Sequence, residues 1–185
     1  MTVPQNTALL VIDVQKAFDD PKWGRRNNPA AEANVARLLK GWRETGRPVI
    51  HIRHRNASSG RLFSPGEPGF EVKPEAASED AEPILYKRVN SAFIGTGLEQ
   101  LLREQAIEDV VLCGITTDHC VSTTTRMAGN LDFNAVIVSD ATATFDRVGP
   151  DGRHWSAEDM HDTALASLNA EFAQVRTTDE VLAAL

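Results

Sequence analysis

Several features that would place a chain elsewhere are scarce in this 185-residue sequence. It has two cysteines, Cys113 and Cys120, seven positions apart, which do not make a secreted disulfide framework. No apolar run approaches the roughly 18 residues that a membrane-spanning helix needs, and no N-terminal hydrophobic stretch has signal-peptide length. Positive charge is in deficit: 19 Lys and Arg against 26 Asp and Glu leave a net charge of −7 and an isoelectric point near 5.2. That balance does not suit a general nucleic-acid binder, whose affinity comes largely from neutralising phosphates. Internal repeats and low-complexity tracts are missing too. The expectation is a cytoplasmic chain of one domain, residues 1–185, large enough to bury a core without staples. Its partner should be a small-molecule substrate, with no nucleic acid and no membrane.

What the sequence does contain is three short apolar strands, each bringing a reactive side chain to its carboxyl end. Thr7 to Val14 (TALLVIDV) delivers Asp13, and Pro83 to Phe93 (PILYKRVNSAF) delivers Lys87. Asp109 to Cys113 (DVVLC) is ended by Gly114; a tight turn over residues 115–118 then leads to a helix from His119. Cys120 therefore falls in a first helical turn, where unpaired N–H groups and the helix dipole favour a thiolate. An isolated cysteine there is ordinarily a small buried filler, and Cys113 is read that way. Open α/β sheets, however, place their sites outside the carboxyl ends of the strands. A carboxylate and an ammonium aimed at the same edge make Cys120 a candidate nucleophile.

The remaining elements follow from period and punctuation. A helix begins near Pro29 and carries Val35, Leu38, Leu39 and Trp42 at helical spacing up to Gly46. Val49 to Arg53 is the second strand. Residues 56–81, rich in Ser, Gly, Pro and Glu, form an irregular stretch with Phe63 and Phe70, read as an active-site flap over its own site or a neighbour's, the competing reading being a surface insertion. Leu98, Leu101 and Leu102 mark a helix ending before Ile107. The helix from His119 should exit at Gly129-Asn130, followed by a strand at Ala135–Val138 and a carboxyl-edge loop at Asp140–Phe145. Ser156 caps a helix to about Asn169, Phe172–Val175 is a last strand, and Thr178 caps a small terminal helix. This alternation predicts an α/β fold: a doubly wound, Rossmann-like, mostly parallel sheet of about six strands with helices on both faces.

The matching of Leu-Val-Ile-Asp13-Val-Gln15 with Phe18, Lys87-Arg-Val-Asn-Ser-Ala-Phe93 and Cys113-Gly-Ile-Thr-Thr-Asp-His-Cys120-Val, in this order and spacing, resembles the isochorismatase-like cysteine hydrolases. That family includes nicotinamidases and carbamoylsarcosine amidohydrolase, and the resemblance spans nearly the whole chain. It implies a catalytic triad of Asp13, Lys87 and Cys120, an oxyanion hole from the backbone N–H groups of Thr116 and Cys120, and a cis Ile115–Thr116 peptide. It implies hydrolysis of a carboxamide or related C–N bond through a thioester, and a homo-oligomer, dimer or tetramer, with sites near subunit contacts. The chemistry is coherent in itself: the thiolate is the nucleophile, so a base must take its proton and a cation must steady the charge. Candidate pocket residues are Phe18, Trp23, Phe93, Thr117, His119 and Trp155, the aromatics also suiting a subunit contact.

The nicotinamidase metal pattern, an Asp-x-His after the second strand, is not matched by His51-Ile-Arg53-His54-Arg55-Asn56. His51 and His54, three apart along a strand, tend to opposite faces and chelate poorly, so neither a metal nor another cofactor is expected. The same basic cluster is either the lining of a pocket for an anionic group or a solvated loop. Three other functions remain: vinyl-ether hydrolysis, which relatives achieve by protonation from the aspartate; a catalytically silent ligand-binding relative; and a phosphoacceptor receiver domain. The last would need an aspartate ending the third strand and a lysine after the fifth, where this chain has Lys87 and Asp140.

Overall fold

A computed structural model describes residues 2–185. Strand β1 (Ala8–Ile12) is buried at every position because layers cover both of its faces. It stands near the middle of a six-stranded sheet with β2 (Val49–His54), β3 (Ile84–Lys87), β4 (Asp109–Ile115) and β5 (Asn134–Ala143). After a separate antiparallel hairpin of β6 (Arg147–Val148) and β7 (His154–Trp155), β8 (Gln174–Arg176) completes the sheet. The order is β3-β2-β1-β4-β5-β8 and every pairing is parallel. The chain builds outward from β1 to β3, then crosses back to lay β4 on the other side of β1. The strand order thus reverses between β1 and β4, and a crevice opens at their carboxyl ends.

Period-two alternation divides the core into two layers. Leu9, Val11, Val111 and Cys113 face Val35, Leu38, Leu39 and Trp42 of α1 (Ala31–Glu44), and Trp42 donates its indole N–H to the Thr7 carbonyl at 2.9 Å. Leu10, Ile12, Ile52 and Leu112 face the opposite layer of α2 (Leu98–Glu104), α3 (Ser122–Asn130) and α4 (Ala157–Leu168). The terminal helix α5 (Thr178–Leu182) joins α1 through Val181. The expected six-stranded doubly wound sheet is therefore the fold, with Cys113 as core packing.

Several boundaries differ from the sequence reading, each for a local reason. β4 does not stop at Gly114 but runs through it to Ile115. Gly114 has φ +126°, and a Cβ there would lie 1.9 Å from the Ile12 carbonyl oxygen, so the residue is a close strand approach rather than a terminator. The pairing of β4 with β5 shifts register between Leu112 and Gly114, and β5 continues as strand through most of the expected 140–145 loop. Its polar bulge is held by Asn28, whose side-chain amide donates to the carbonyls of Ser139 and Thr142 at 3.0 and 2.7 Å. The helix expected from His119 opens with a wide π turn over Thr117–Val121, and α3 passes through Gly129-Asn130 before Asp132 turns the chain at φ +61°. β8 starts at Gln174, leaving Phe172 packed against the core.

The cap of α5 is Thr177, not Thr178: Thr177 and Glu180 form a reciprocal capping box, while the Thr178 hydroxyl donates to Asp140. The β6/β7 hairpin was not foreseen, because two-residue strands carry no readable alternation. Gly114→Ala should lower unfolding free energy by at least about 3 kcal/mol, since left-handed strain and a backbone clash coincide. Denaturant titration measures this, and wild-type stability in the variant would contradict the close approach.

Candidate active site

Four adjacent strands end side by side at the carboxyl edge. β3 ends in Lys87 and β2 in His54, paired in register; Asp13 follows β1, and the turn after β4 holds Cys120. The Lys87 Nζ stands 2.5 Å from Asp13 Oδ2, 3.2 Å from Cys120 Sγ and 3.3 Å from His54 Nδ1. The ammonium hydrogen-bonds to His54 and Cys120 and forms an ion pair with Asp13, side chains from three other elements. Lys87 is 1 % exposed and Asp13 0 %, so neither charge has water to fall back on. Besides this ion pair, neither carboxylate oxygen of Asp13 has a hydrogen-bond partner among the described residues.

The backbone around this cluster is specialised. Asp13 has φ +52°, a left-handed conformation that aspartate tolerates better than most, and it turns the chain away at the end of β1. Gln15 then clamps three segments: its side chain donates to the carbonyls of His54 and Phe70 at 3.1 and 3.0 Å and accepts from the His54 N–H at 2.8 Å. The second half of the 56–81 segment is pinned by these bonds and by Lys73, paired with Asp19 at 2.5 Å and Glu32 at 2.7 Å. The flap is not structureless, since short 3-10 turns occupy Pro68–Phe70 and Pro74–Ala76.

The turn bearing Cys120 begins with a cis Ile115–Thr116 peptide. The N–H groups of His119 and Val121 both donate to the Thr116 carbonyl, at 3.3 and 3.1 Å, whereas that of Thr116 takes no backbone acceptor among the described residues. A free donor beside the Cys120 turn is what a developing oxyanion requires. The far side of the turn is tied down: Thr117 Oγ1 lies 2.9 Å from His161 Nδ1, and Asp118 accepts from Thr144 Oγ1 at 2.5 Å and Arg147 Nε at 3.1 Å. Burial would raise the Asp118 pKa, but the Thr144 hydrogen bond and the His119 and Arg147 charges hold it below the usual carboxylate value.

Protonation departs from the sequence expectation. Burial and then the Asp13 charge push the Cys120 thiol up to about 12, with Lys87 offsetting only part. The partial charge of a helix start does not prevail there, and Cys120 rests as a thiol beside Asp13. Burial pulls the Lys87 pKa down, but the charges of Asp13 and Cys120 outweigh it and the net shift is upward. His54 is lowered by burial and by Lys87, which leaves a neutral ring accepting the Lys87 proton at Nδ1.

A cavity of about 510 Å³ opens over these groups. Asp13, Thr116, Cys120 and His54 form its floor; Phe18, Trp23 and Phe63 wall it; Lys22, Arg61 and His119 stand around it. Lys87 lies beneath, in contact with the floor. Of the expected pocket residues, Phe18, Trp23 and His119 line the cavity and Phe93, Thr117 and Trp155 do not. Phe93 stacks on Phe133 at 5.8 Å, packed against the core; Thr117 is turned inward to His161; Trp155 sits in the hairpin under the Arg153 guanidinium at 3.9 Å. In the basic cluster, His51 is paired with Glu82 at 2.8 Å and Arg53 reaches Ser78 at 3.2 Å, so only His54 belongs to the site. The flap that walls the cavity through Asn56, Arg61 and Phe63 is this chain's own. His54 was legible only with the strand order in hand, since β2 lies between the strands of Asp13 and Lys87.

Donor atoms of Asp13, His54 and Cys120 lie within 4.8 Å of one another, a set chemically able to hold a transition metal. The Lys87 ammonium, however, contacts all three residues and already supplies the positive charge there. A larger cavity of about 570 Å³ lies at the opposite, amino edge among Asp109, Asn134 and Phe172, and its lining includes no cysteine, histidine or lysine among the described residues. No helix among the described residues is long and apolar enough to cross a membrane.

Comparison with known proteins places the fold in a family. Residues 7–180 match the model of the isochorismatase domain. The isochorismatase family protein YrdC of Bacillus subtilis is 47% identical over 178 residues, covering 96% of this chain and 95% of that protein. Streptothricin hydrolase of Streptomyces noursei is 32% identical over 94% of this chain and 60% of its own length. The crystal structure of an isochorismatase-family protein from Chromobacterium violaceum superposes with a TM-score of 0.97 at 43% identity, covering 100% of this chain and 96% of that one. With its fold, its strand-edge cluster and these relatives in agreement, the chain belongs to the isochorismatase family of hydrolases.

Proposed function

We propose that the protein is a cysteine amidohydrolase, which cleaves a carboxamide or related C–N bond of a small molecule through a thioester at Cys120. The observation that carries this reading is the single buried ammonium of Lys87 in contact with both the Asp13 carboxylate and the Cys120 sulfur. Asp13 takes the thiol proton as Sγ attacks the carbonyl carbon, and Lys87 steadies whichever of the two is anionic. The carbonyl oxygen becomes an oxyanion held by the Thr116 and Cys120 N–H groups. The proton on Asp13 passes to the nitrogen, the C–N bond breaks, and ammonia or an amine leaves a thioester on Cys120. Water, losing a proton to Asp13, attacks the thioester; the C–S bond breaks and that proton returns to sulfur. The sum is amide plus water giving acid plus amine.

Vinyl-ether hydrolysis would use Asp13 as a proton donor and leave the thiol idle. The 3.2 Å contact between Lys87 and Cys120 supports the amide instead. The relationship to streptothricin hydrolase supports hydrolysis in the same fold. The expected outcome of a screen of primary amides and ureido compounds is ammonia release that disappears in Cys120→Ala. Asp13→Asn and Lys87→Ala should each cost two or more orders of magnitude in turnover, roughly the worth of positioned acid–base groups, and should combine with Cys120→Ala far less than multiplicatively. Full ammonia release without the thiol would overturn the thioester mechanism.

The protonation states give a second test. Because burial and the Asp13 charge hold Cys120 as a thiol, its alkylation by iodoacetamide should rise steadily with pH across the neutral and mildly alkaline range. Asp13→Asn removes one upward push and leaves Lys87 with only the sulfur as anion, so its alkylation profile should move to lower pH while turnover is lost. An unmoved profile would separate Asp13 from the thiol. Cys113, fully buried and pushed further up by burial alone, should stay unlabelled in the folded protein.

Since the Lys87 ammonium stands among the three donor side chains, exhaustive chelation should leave activity unchanged. Loss with EDTA and recovery with zinc would overturn that assignment.

A further inference from the structure

We propose that the substrate carries, besides the scissile amide, an anionic group on a planar frame, bound between Lys22 and Arg61 at the cavity mouth. This deepens the amidohydrolase reading and rests on it. In a chain of net charge −7, the charged side chains lining this cavity are Lys22, Arg61 and Asp13. Asp13 is neutralised by Lys87 beneath it. The cavity's own lining therefore carries its net positive charge at Lys22 and Arg61, with Asp19, Asp20 and Glu67 set back in the adjoining groove that Arg61 also lines.

Lys22 and Arg61 differ from the cations near them. Lys16, Arg25, Arg26 and Lys73 each pair with a carboxylate. Lys22 and Arg61 have no such partner among the described residues, and Lys22 is instead held over the Trp23 ring at 5.4 Å. Arg61 comes from the flap and Lys22 from the segment after β1, so the two reach the cavity from different elements. His119 and Asn56 add further hydrogen-bonding groups.

The planar frame follows from the walls. Phe18 lies 5.3 Å from Trp23 and 5.2 Å from Phe63, and Phe63 meets the His54 ring edge-on at 5.1 Å. Rigid faces of this kind favour flat, conjugated acyl groups, and about 510 Å³ limits the substrate to a small molecule. A polycationic substrate is disfavoured by the same rim charge.

Three benzamides of matched shape test this: isophthalamate, meta-toluamide and meta-(aminomethyl)benzamide, which are anionic, neutral and cationic. Titration calorimetry on Cys120→Ala protein should show isophthalamate binding about tenfold tighter than meta-toluamide, what two exposed ion pairs supply together, and the cation weakest. The preference should shrink with added salt and be lost in the Lys22→Gln/Arg61→Gln double variant, whose altered residues are exposed and leave folding intact. Equal binding of all three, tighter binding of the cation, or no binding of isophthalamate at millimolar concentration overturns the proposal. Ammonia release by wild type from the same compounds is read separately. The amidohydrolase reading fails if the broader screen of amides and ureido compounds gives no ammonia, while the order of binding still decides the charge preference.

Discussion

One buried ammonium sets the terms for this structure. Lys87 gives up hydration, a loss that costs several kcal/mol in a dry interior unless every donor finds a strong acceptor. Its partners come from β2, from the end of β1 and from the turn after β4, so the cluster exists only if all these elements end at the same height. The strand order supplies that alignment, with β3, β2, β1 and β4 as consecutive neighbours. Gly114 supplies the close approach of β4 to β1, and Gln15 locks the ends of β1 and β2 together. The fold and the site thus share one constraint: a cation that no water can satisfy must be met by three strands in register.

The same constraint decides where the proton rests. Asp13 and Cys120 both border one cation, and in a buried place one positive charge stabilises one negative charge well and two poorly. Burial first and the Asp13 charge second move the Cys120 pKa up, although the residue lies at the opening of a helix. Together they outweigh the charge of about half an elementary unit that a helix terminus contributes. In the proposed mechanism the pair is poised for transfer rather than pre-ionised: proton movement from sulfur to carboxylate accompanies bond formation at a carbonyl, with Lys87 beside both before and after.

Much of this was legible in the sequence because it rests on periodic strands. Asp13, Lys87 and Cys120 each follow a short apolar run, and position at a strand's carboxyl end is a property that pattern alone reveals. Pro29, Gly46 and the Leu38-Leu39-Trp42 stripe bracket α1 for similar reasons. What stayed hidden depends on tertiary contact. Ser139 and Asp140 read as loop because they are polar, yet they ride on a bulged strand whose carbonyls Asn28 and Asn34 satisfy. Trp155 looks like a pocket wall among glycines, but a two-residue hairpin turns it to Arg153. Phe93 follows the lysine strand by only a few residues and still points to the core. His54 had the chemistry of a site residue but shared its sequence cluster with His51 and Arg53, and only the order of the strands separates them.

Chemistry and selectivity are held by different parts of the chain. The reacting groups belong to strand ends fixed by sheet hydrogen bonds and by ion pairing, where a displacement of one residue would disturb the other strands. The surroundings of the cavity belong to two connections, the segment after β1 with Phe18, Lys22 and Trp23 and the first half of the flap with Arg61 and Phe63. The flap's second half is bound to the body through Gln15 and Lys73, so its exposed first half can differ in length and charge without moving the anchor. Loops tolerate such change because few buried contacts depend on them. A fold built this way lets the ammonium, the carboxylate and the thiol stay fixed while the groups that meet the rest of a substrate vary. In this chain those groups include Lys22 and Arg61, neither paired with a carboxylate among the described residues, at the opening above the Lys87–Asp13 ion pair.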